Sequence, residues 1–216
     1  MMNDEQKTNL VHHSSFIIHH SSKRLLGGRS GAGEGVKRMA NNMWSEVLQS
    51  LSMISGELRP VSESDLDQFE TETGFKLPKS YRDFCTLLGP GILAHPGNYR
   101  IVAPKSNGGE MEELRRFNRF AHACNQECEF YCQNAEQVKR ALFFGTDIGT
   151  SWFFWDPGET ANAKDNEHSI FVLYRDYDVE RLANSFWDFV NDICLKSGLP
   201  GYAKVGRITK TFEPCR

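Results

Sequence analysis

The chain is expected to fold as α+β, with helices packed on one mainly antiparallel sheet of about four to six strands. Two observations lead there. Apolar residues recur at helical spacing in the stretches 44–51, 63–73, 78–88, 111–124 and 178–197. Between the last two lie short aromatic and β-branched runs, each bounded by turn residues at the regular intervals of a meander. A run of helices, then strands, then a closing helix is the order of a layered α+β domain.

The elements follow in sequence. Trp44, Val47, Leu48 and Leu51 mark a first helix. Ser62 is placed to cap the second, and Val61 and Leu66 flank it at the spacing of a hydrophobic staple. Gly74 suits a left-handed position just past the end of that helix. Pro78 fits the first position of the next, where its missing N–H is not needed. Tyr81, Phe84, Cys85 and Leu88 then share one face, and Gly89-Pro90-Gly91 stops the helix. Ile92 to Ala94 and Tyr99 to Ala103 read as strands around the turn His95-Pro96-Gly97-Asn98. After the break at Asn107-Gly108-Gly109, Met111, Leu114, Phe117, Ala121 and Cys124 form the stripe of a fourth helix. Ala141 to Thr146, Ser151 to Asp156 and Ser169 to Arg175 are the meander. Asp178 is the expected cap of a last helix that turns Leu182, Phe186, Phe189, Val190 and Ile193 inward.

The string from Leu66 to Gly91, with Phe69, Gly74, Leu77, Pro78, Tyr81, Phe84 and Gly89 at fixed intervals, resembles the SUKH superfamily. That superfamily groups yeast Smi/Knr-type cell-wall regulators with bacterial immunity proteins that neutralise polymorphic toxins. A second matching stretch carries Gly145, Asp147 and Gly149, followed by an aromatic strand ending in Asp156. The resemblance spans roughly residues 43–197, and the segment 107–132 has no counterpart in it. It implies a non-enzymatic domain whose motif residues shape the backbone rather than react.

Composition narrows the function classes. No stretch approaches the roughly 20 apolar residues that cross a membrane. Residues 1–42 hold six Lys/Arg and three Asp/Glu, whereas residues 43–216 hold 19 and 25, leaving the domain at −6 and the whole chain at −3. An acidic domain is a poor phosphate-backbone binder, since that affinity needs clustered cations. It complements a basic protein. Residues 1–42, with a histidine-rich near-repeat and the glycine-rich run 27–35, read as a disordered extension or a mis-called start before Met43. Residues 43–199 are the expected domain, and 200–216 a loose basic tail. Six cysteines without a secretion signal fit a reducing cytosol.

Candidate chemistry is sparse. Cys124, Cys128 and Cys132 would stack on one side of a continuous helix, but span about 12 Å, too far for one ion. No metal or cofactor is expected, and the cysteines read mainly as packing residues. Gly-x-Ser-x-Gly and phosphate-binding glycine loops are missing. His168 and Ser169 would point to opposite faces of a strand. Asp147, Asp156 and Asp165 lack the ligand order of a calcium loop and suit turns.

The densest aromatic run is Trp152-Phe153-Phe154-Trp155, in which one alternating pair must face away from the main core. That pair lies beneath a helix or loop, or forms an exposed interface patch. Trp152, Phe154 and Trp155, with the acidic Asp147, Asp156, Glu110, Glu112 and Glu113, are therefore the candidate partner-binding set. The resemblance and the charge together point to a cytoplasmic protein-binding module that masks the active site of a cognate toxin, with the carboxylates imitating phosphates if that toxin is a nuclease. A regulatory scaffold of the yeast type is the alternative. A small hydrolase or metal-dependent enzyme built on His95, His168 or the cysteines is a third.

Overall fold

The computed structural model describes residues 44–105, 113–147, 150–200 and 207–215. A first helix, α1, covers residues 44–50. It is followed by β1 (Ser52–Met53), α2 (Glu63–Thr73), α3 (Lys79–Leu87), β2 (Gly91–His95) and β3 (Tyr99–Ile101). Next come α4 (Leu114–Cys124), α5 (Cys128–Tyr131) and α6 (Ala135–Lys139), then β4 (Leu142–Thr146), β5 (Trp152–Asn162), β6 (Glu167–Leu173) and β7 (Val179–Ala183). The closing helix, α7 (Phe186–Asp188), runs on as a π-helical segment over Phe189–Ser197, and β8 (Thr209–Pro214) ends the described chain.

All eight strands among the described residues join one sheet in the order β1-β8-β2-β3-β4-β5-β6-β7. The class α+β holds. The expected mainly antiparallel sheet of four to six strands is corrected, because the described residues form eight strands and the sheet is mixed, with β1 parallel to β8. Two of the additional strands, β1 and β8, carry little apolar signal of their own. They form because the outer edge of β2 offers unpaired backbone groups that β8 satisfies, and β8 offers the same to β1. Residues 209–214 are thus no loose tail. Phe212 is fully buried and meets Phe84 at 6.1 Å between ring centroids. The third, β7, displaces the start of the last helix. Tyr174 donates its N–H to the Asp178 carbonyl across a turn in which Tyr177 has φ 68°, so the chain reverses and pairs with β6. Asp178 is therefore not a helix cap. Ser185 is, its hydroxyl accepting from the Asp188 N–H at 3.0 Å.

Both faces of the sheet are covered, and the reason is legible in its strands. Phe143-Phe144, Trp152 through Trp155 and Ile170 through Leu173 are unbroken apolar runs rather than alternating ones, and a strand of that kind must be buried on two sides. On one face, Tyr81 of α3 sets its ring edge against Trp155 at 4.8 Å, and Phe186 of α7 packs against Phe84 and Phe144. On the other, Phe117 of α4 meets Trp152 at 5.6 Å and His122 meets Phe143 at 5.1 Å.

The motif between α2 and α3 behaves as its residues dictate. Ser62 accepts from the Asp65 N–H, and Gly74 closes α2 in the left-handed conformation with φ 70°. Gly89 has φ 75° and lies against the Arg59 carbonyl, so any Cβ would collide with backbone there. At Gly145 a Cβ would sit 2.5 Å from the Arg100 carbonyl oxygen on the neighbouring strand. Glu70 is the polar centre of the motif. Its carboxylate accepts from the Leu77 N–H at 3.1 Å, from Lys76 at 2.8 Å and from Arg82 at 2.8 Å, while Arg82 also reaches Glu63 and Asp67. Burial works to raise the Glu70 pKa, but these donors outweigh it and hold the group below its ordinary value.

A second buried carboxylate ties distant elements together. Glu167, the first residue of β6, accepts from the Ser80 N–H at 2.8 Å, the Ser80 hydroxyl at 2.8 Å and the Phe186 N–H at 3.3 Å. Ser80 Oγ in turn accepts from the Trp187 N–H at 3.2 Å. One side chain thereby supplies acceptors to the opening turns of both α3 and α7; α3 has no acidic residue in its own first turn.

Replacing Glu167 with Ala strips these N–H groups of their acceptor, and urea unfolding is expected to show a loss of about 2–4 kcal/mol. Glu167→Gln keeps one acceptor oxygen and should lose less. Burial raises the Glu167 pKa above 4.5, with the Ser80 and Phe186 donors opposing it. Its contribution is therefore complete below pH 4.5 and declines as pH rises through the folded-state value. The margin of the native chain over Glu167→Gln should narrow from acid toward neutral pH; a constant margin would contradict the assignment.

Candidate interaction surface

The side chains singled out from the sequence as partner-binding point mostly inward. Trp155 is fully buried, stacked on Phe144 at 4.2 Å, and its indole N–H has no hydrogen-bond partner among the described residues. Phe154 is fully buried between Phe143 and Phe171. Trp152 is half-buried beneath Phe117 and Phe120 of α4. Of the two fates open to the second aromatic pair, cover by a helix is the one the structure shows.

The carboxylates are engaged too. Asp156 is 2% exposed and receives two hydrogen bonds from Arg140, at 2.7 and 2.6 Å. Asp147 closes the β4–β5 loop by accepting from the Thr150 and Ser151 N–H groups. Glu113 caps α4 through the Arg115 and Arg116 N–H groups at 3.0 and 3.1 Å. Glu110, Glu112 and Gly149 lie outside the described residues, as does the extension 1–42.

The three cysteines do not stack along one helix. Asn125 ends α4, its side-chain amide donating to the Ala121 carbonyl, and the chain turns before α5 begins at Cys128. Cys124 is exposed, while Cys128 and Cys132 are buried. Burial, with Cys132 beside it, pushes the Cys128 thiol up to about 11, so it stays protonated at neutral pH and is a poor metal ligand or nucleophile. Cys85 is likewise raised to about 12 by burial. Among the described residues no three His, Cys, Asp or Glu side chains converge as a metal site.

Among the described residues, no histidine forms an acid–base pair with a nucleophile. His168 is buried against Phe75, with Nδ1 at 2.9 Å from the Glu159 carbonyl oxygen. Ser169 donates to the Glu159 carboxylate and accepts from Arg181. His95, at the end of β2, is exposed.

What the structure leaves in solvent is a different set. Phe130 and Tyr131 of α5 are 78% and 69% exposed. Their rings meet edge to face at 6.5 Å, and Tyr131 stacks on Tyr177 of the β6–β7 turn. A smaller apolar group, Met53, Ile54 and Leu58, lies at the β1 edge. The α5 pair had one sequence signal: adjacent aromatics among the charged residues of the cysteine segment, with no apolar neighbours at helical spacing to bury them. The decisive event, the break at Asn125, follows from tertiary packing.

Two substitutions separate scaffold from surface. Trp155→Ala is expected to destabilise the fold by about 3–5 kcal/mol, and Phe130→Ala by less than about 0.5 kcal/mol. Calorimetric Tm values check both. The Arg140 hydrogen bonds outweigh burial and hold the Asp156 carboxyl below its ordinary value of 3.8. Its stabilisation is present above that value and fades as pH falls through the folded one. The stability gap between the native chain and Asp156→Asn should therefore close in acid, the opposite of the trend at Glu167.

No helix among the described residues is long and apolar enough to cross a membrane. No curated protein matches the chain. Residues 60–192 match the model of the SMI1 / KNR4 family (SUKH-1), a stretch that runs from just before the Ser62 cap into the π-helical segment and takes in both carboxylate centres, Glu70 and Glu167. On a match covering more than half of its length, the chain belongs to the SMI1 / KNR4 family (SUKH-1).

Proposed function

We propose that this chain is a non-enzymatic protein-binding module, an immunity protein of the cytosol that neutralises a cognate toxin by covering its active site or substrate groove. The observation that carries this reading is the division of labour between its side chains. Glu70, Glu167, Asp156 and the buried thiols hold the scaffold, whereas Phe130 and Tyr131 stand largely in water, outside the core. Exposed aromatic residues are favoured anchors at protein interfaces. Family membership supports the same reading, because SUKH proteins include toxin-neutralising members. A platform braced on both faces loses little conformational freedom on binding, which favours affinity.

Co-expression with a toxin domain encoded by a neighbouring gene tests it. Restored growth, together with a complex on size exclusion, is the expected result. Unchanged killing without a complex would overturn the reading, and turnover of a substrate by the isolated chain would replace it with an enzymatic one.

A further inference from the structure

The exposed rings of α5 belong to a larger surface with a definite charge. On one side, the β6–β7 turn lays Tyr177 against Tyr131, their centroids 5.7 Å apart and their planes 24° from parallel. The Tyr177 hydroxyl donates to the Glu127 carboxylate at 2.9 Å, which ties turn and helix together. On the other side lies a cavity of about 460 Å³ between the end of α4, α5 and α6. Cys128, Ala135 and Val138 give it an apolar lining, and Phe130 forms part of its wall.

Around these rings the exposed carboxylates are Glu127, Glu129, Glu136, Asp176, Asp178 and Glu180, and the exposed cations are Lys139, Arg140 and Arg175. Six negative charges against three positive leave the patch at −3. Lys139 stands 4.0 Å from Glu136, whereas the Glu129 carboxylate has no ion-pair or hydrogen-bond partner among the described residues.

We propose that this surface docks a basic segment of a protein partner, with an arginine side chain entering the cavity between Phe130 and the carboxylates of Glu127 and Glu129. The proposal rests on the protein-binding reading and names the chemistry of the partner. A guanidinium stacks on an aromatic face and pairs with a carboxylate in one geometry, and its aliphatic stem suits an apolar lining. An apolar partner would strip water from the carboxylates with nothing in return. A nucleic acid or an anionic membrane would be repelled. A second copy would bring its own domain charge of −6 against this one.

The test uses the full chain and a fluorescent synthetic peptide of alternating arginine and leucine, with a glutamate–leucine peptide as control. Binding of the arginine peptide alone is expected, with amide signals shifting at residues 127–139 and 175–178. Anisotropy titrations should show at least tenfold weaker binding for Glu129→Lys and for Phe130→Ser combined with Tyr131→Ser, with native melting profiles in both. Raising the salt should weaken native binding. Shifts centred on Met53, Ile54 and Leu58, unaltered affinity in both variants, equal binding of the glutamate peptide, or self-association through this patch in sedimentation would each overturn the proposal. The two readings fail separately. A toxin neutralised by protein that ignores the peptide leaves the immunity reading and removes this surface from it. A peptide seated here on a chain that protects against no toxin does the reverse.

Discussion

The Glu167 carboxylate is the constraint on which the rest of the structure depends. It leaves the first residue of β6 and accepts from the opening turns of α3 and α7, segments separated from each other by more than a hundred residues. Helix starts present N–H groups that no upstream turn can satisfy, and a buried start without an acceptor is costly. Because one side chain answers two helices, their positions relative to β6 are set together. Phe84 and Phe186 then face each other at 5.3 Å, and Tyr81 and Phe186 close over Trp155 and Phe144. Glu70 plays the matching role between α2 and α3, and the two carboxylates are tuned in opposite directions: donors prevail at Glu70, burial at Glu167.

Around these polar ties the sheet is an aromatic sandwich filling. Its central strands carry bulky rings on both sides, and helices cover both. That arrangement takes the aromatic run of β5 out of solvent. Large rings at the centre of a sheet are the groups whose burial stabilises the fold most, and the same burial removes them from any partner. The surface proposed for docking falls on elements that the core does not require. The four-residue α5 and the β6–β7 turn are such elements, held in place by Cys128 beneath and by the Tyr177–Glu127 hydrogen bond above.

Much of this was legible in the amino-acid order. The caps and breaks around α2 and α3, the stripe of α4 and the strands β2 to β6 follow from local chemistry: a serine that can cap, a glycine with room for positive φ, a period of 3.6 or an unbroken apolar run. The burial of Cys85 and Cys194 follows from helical faces in the same way. The strands β1, β7 and β8 were not legible. Residues 179–183 mix charged and apolar groups compatible with either helix or strand, and residues 209–214 offer one large apolar side chain. What makes both stretches strands is an unpaired neighbour, which no local window contains.

The interaction surface divides along the same line. Sequence alone determined that the chain would carry an acidic domain, an aromatic-rich sheet and no recognisable catalytic motif, because composition and short-range spacing are local properties. Only the tertiary structure decided which rings and carboxylates meet water. It drew Trp155, Phe154, Asp156 and Glu113 into packing, salt bridge and helix cap, and it left Phe130 and Tyr131 outside by ending α4 at Asn125. Exposure depends on what packs above a residue, and that neighbour is usually distant in the chain.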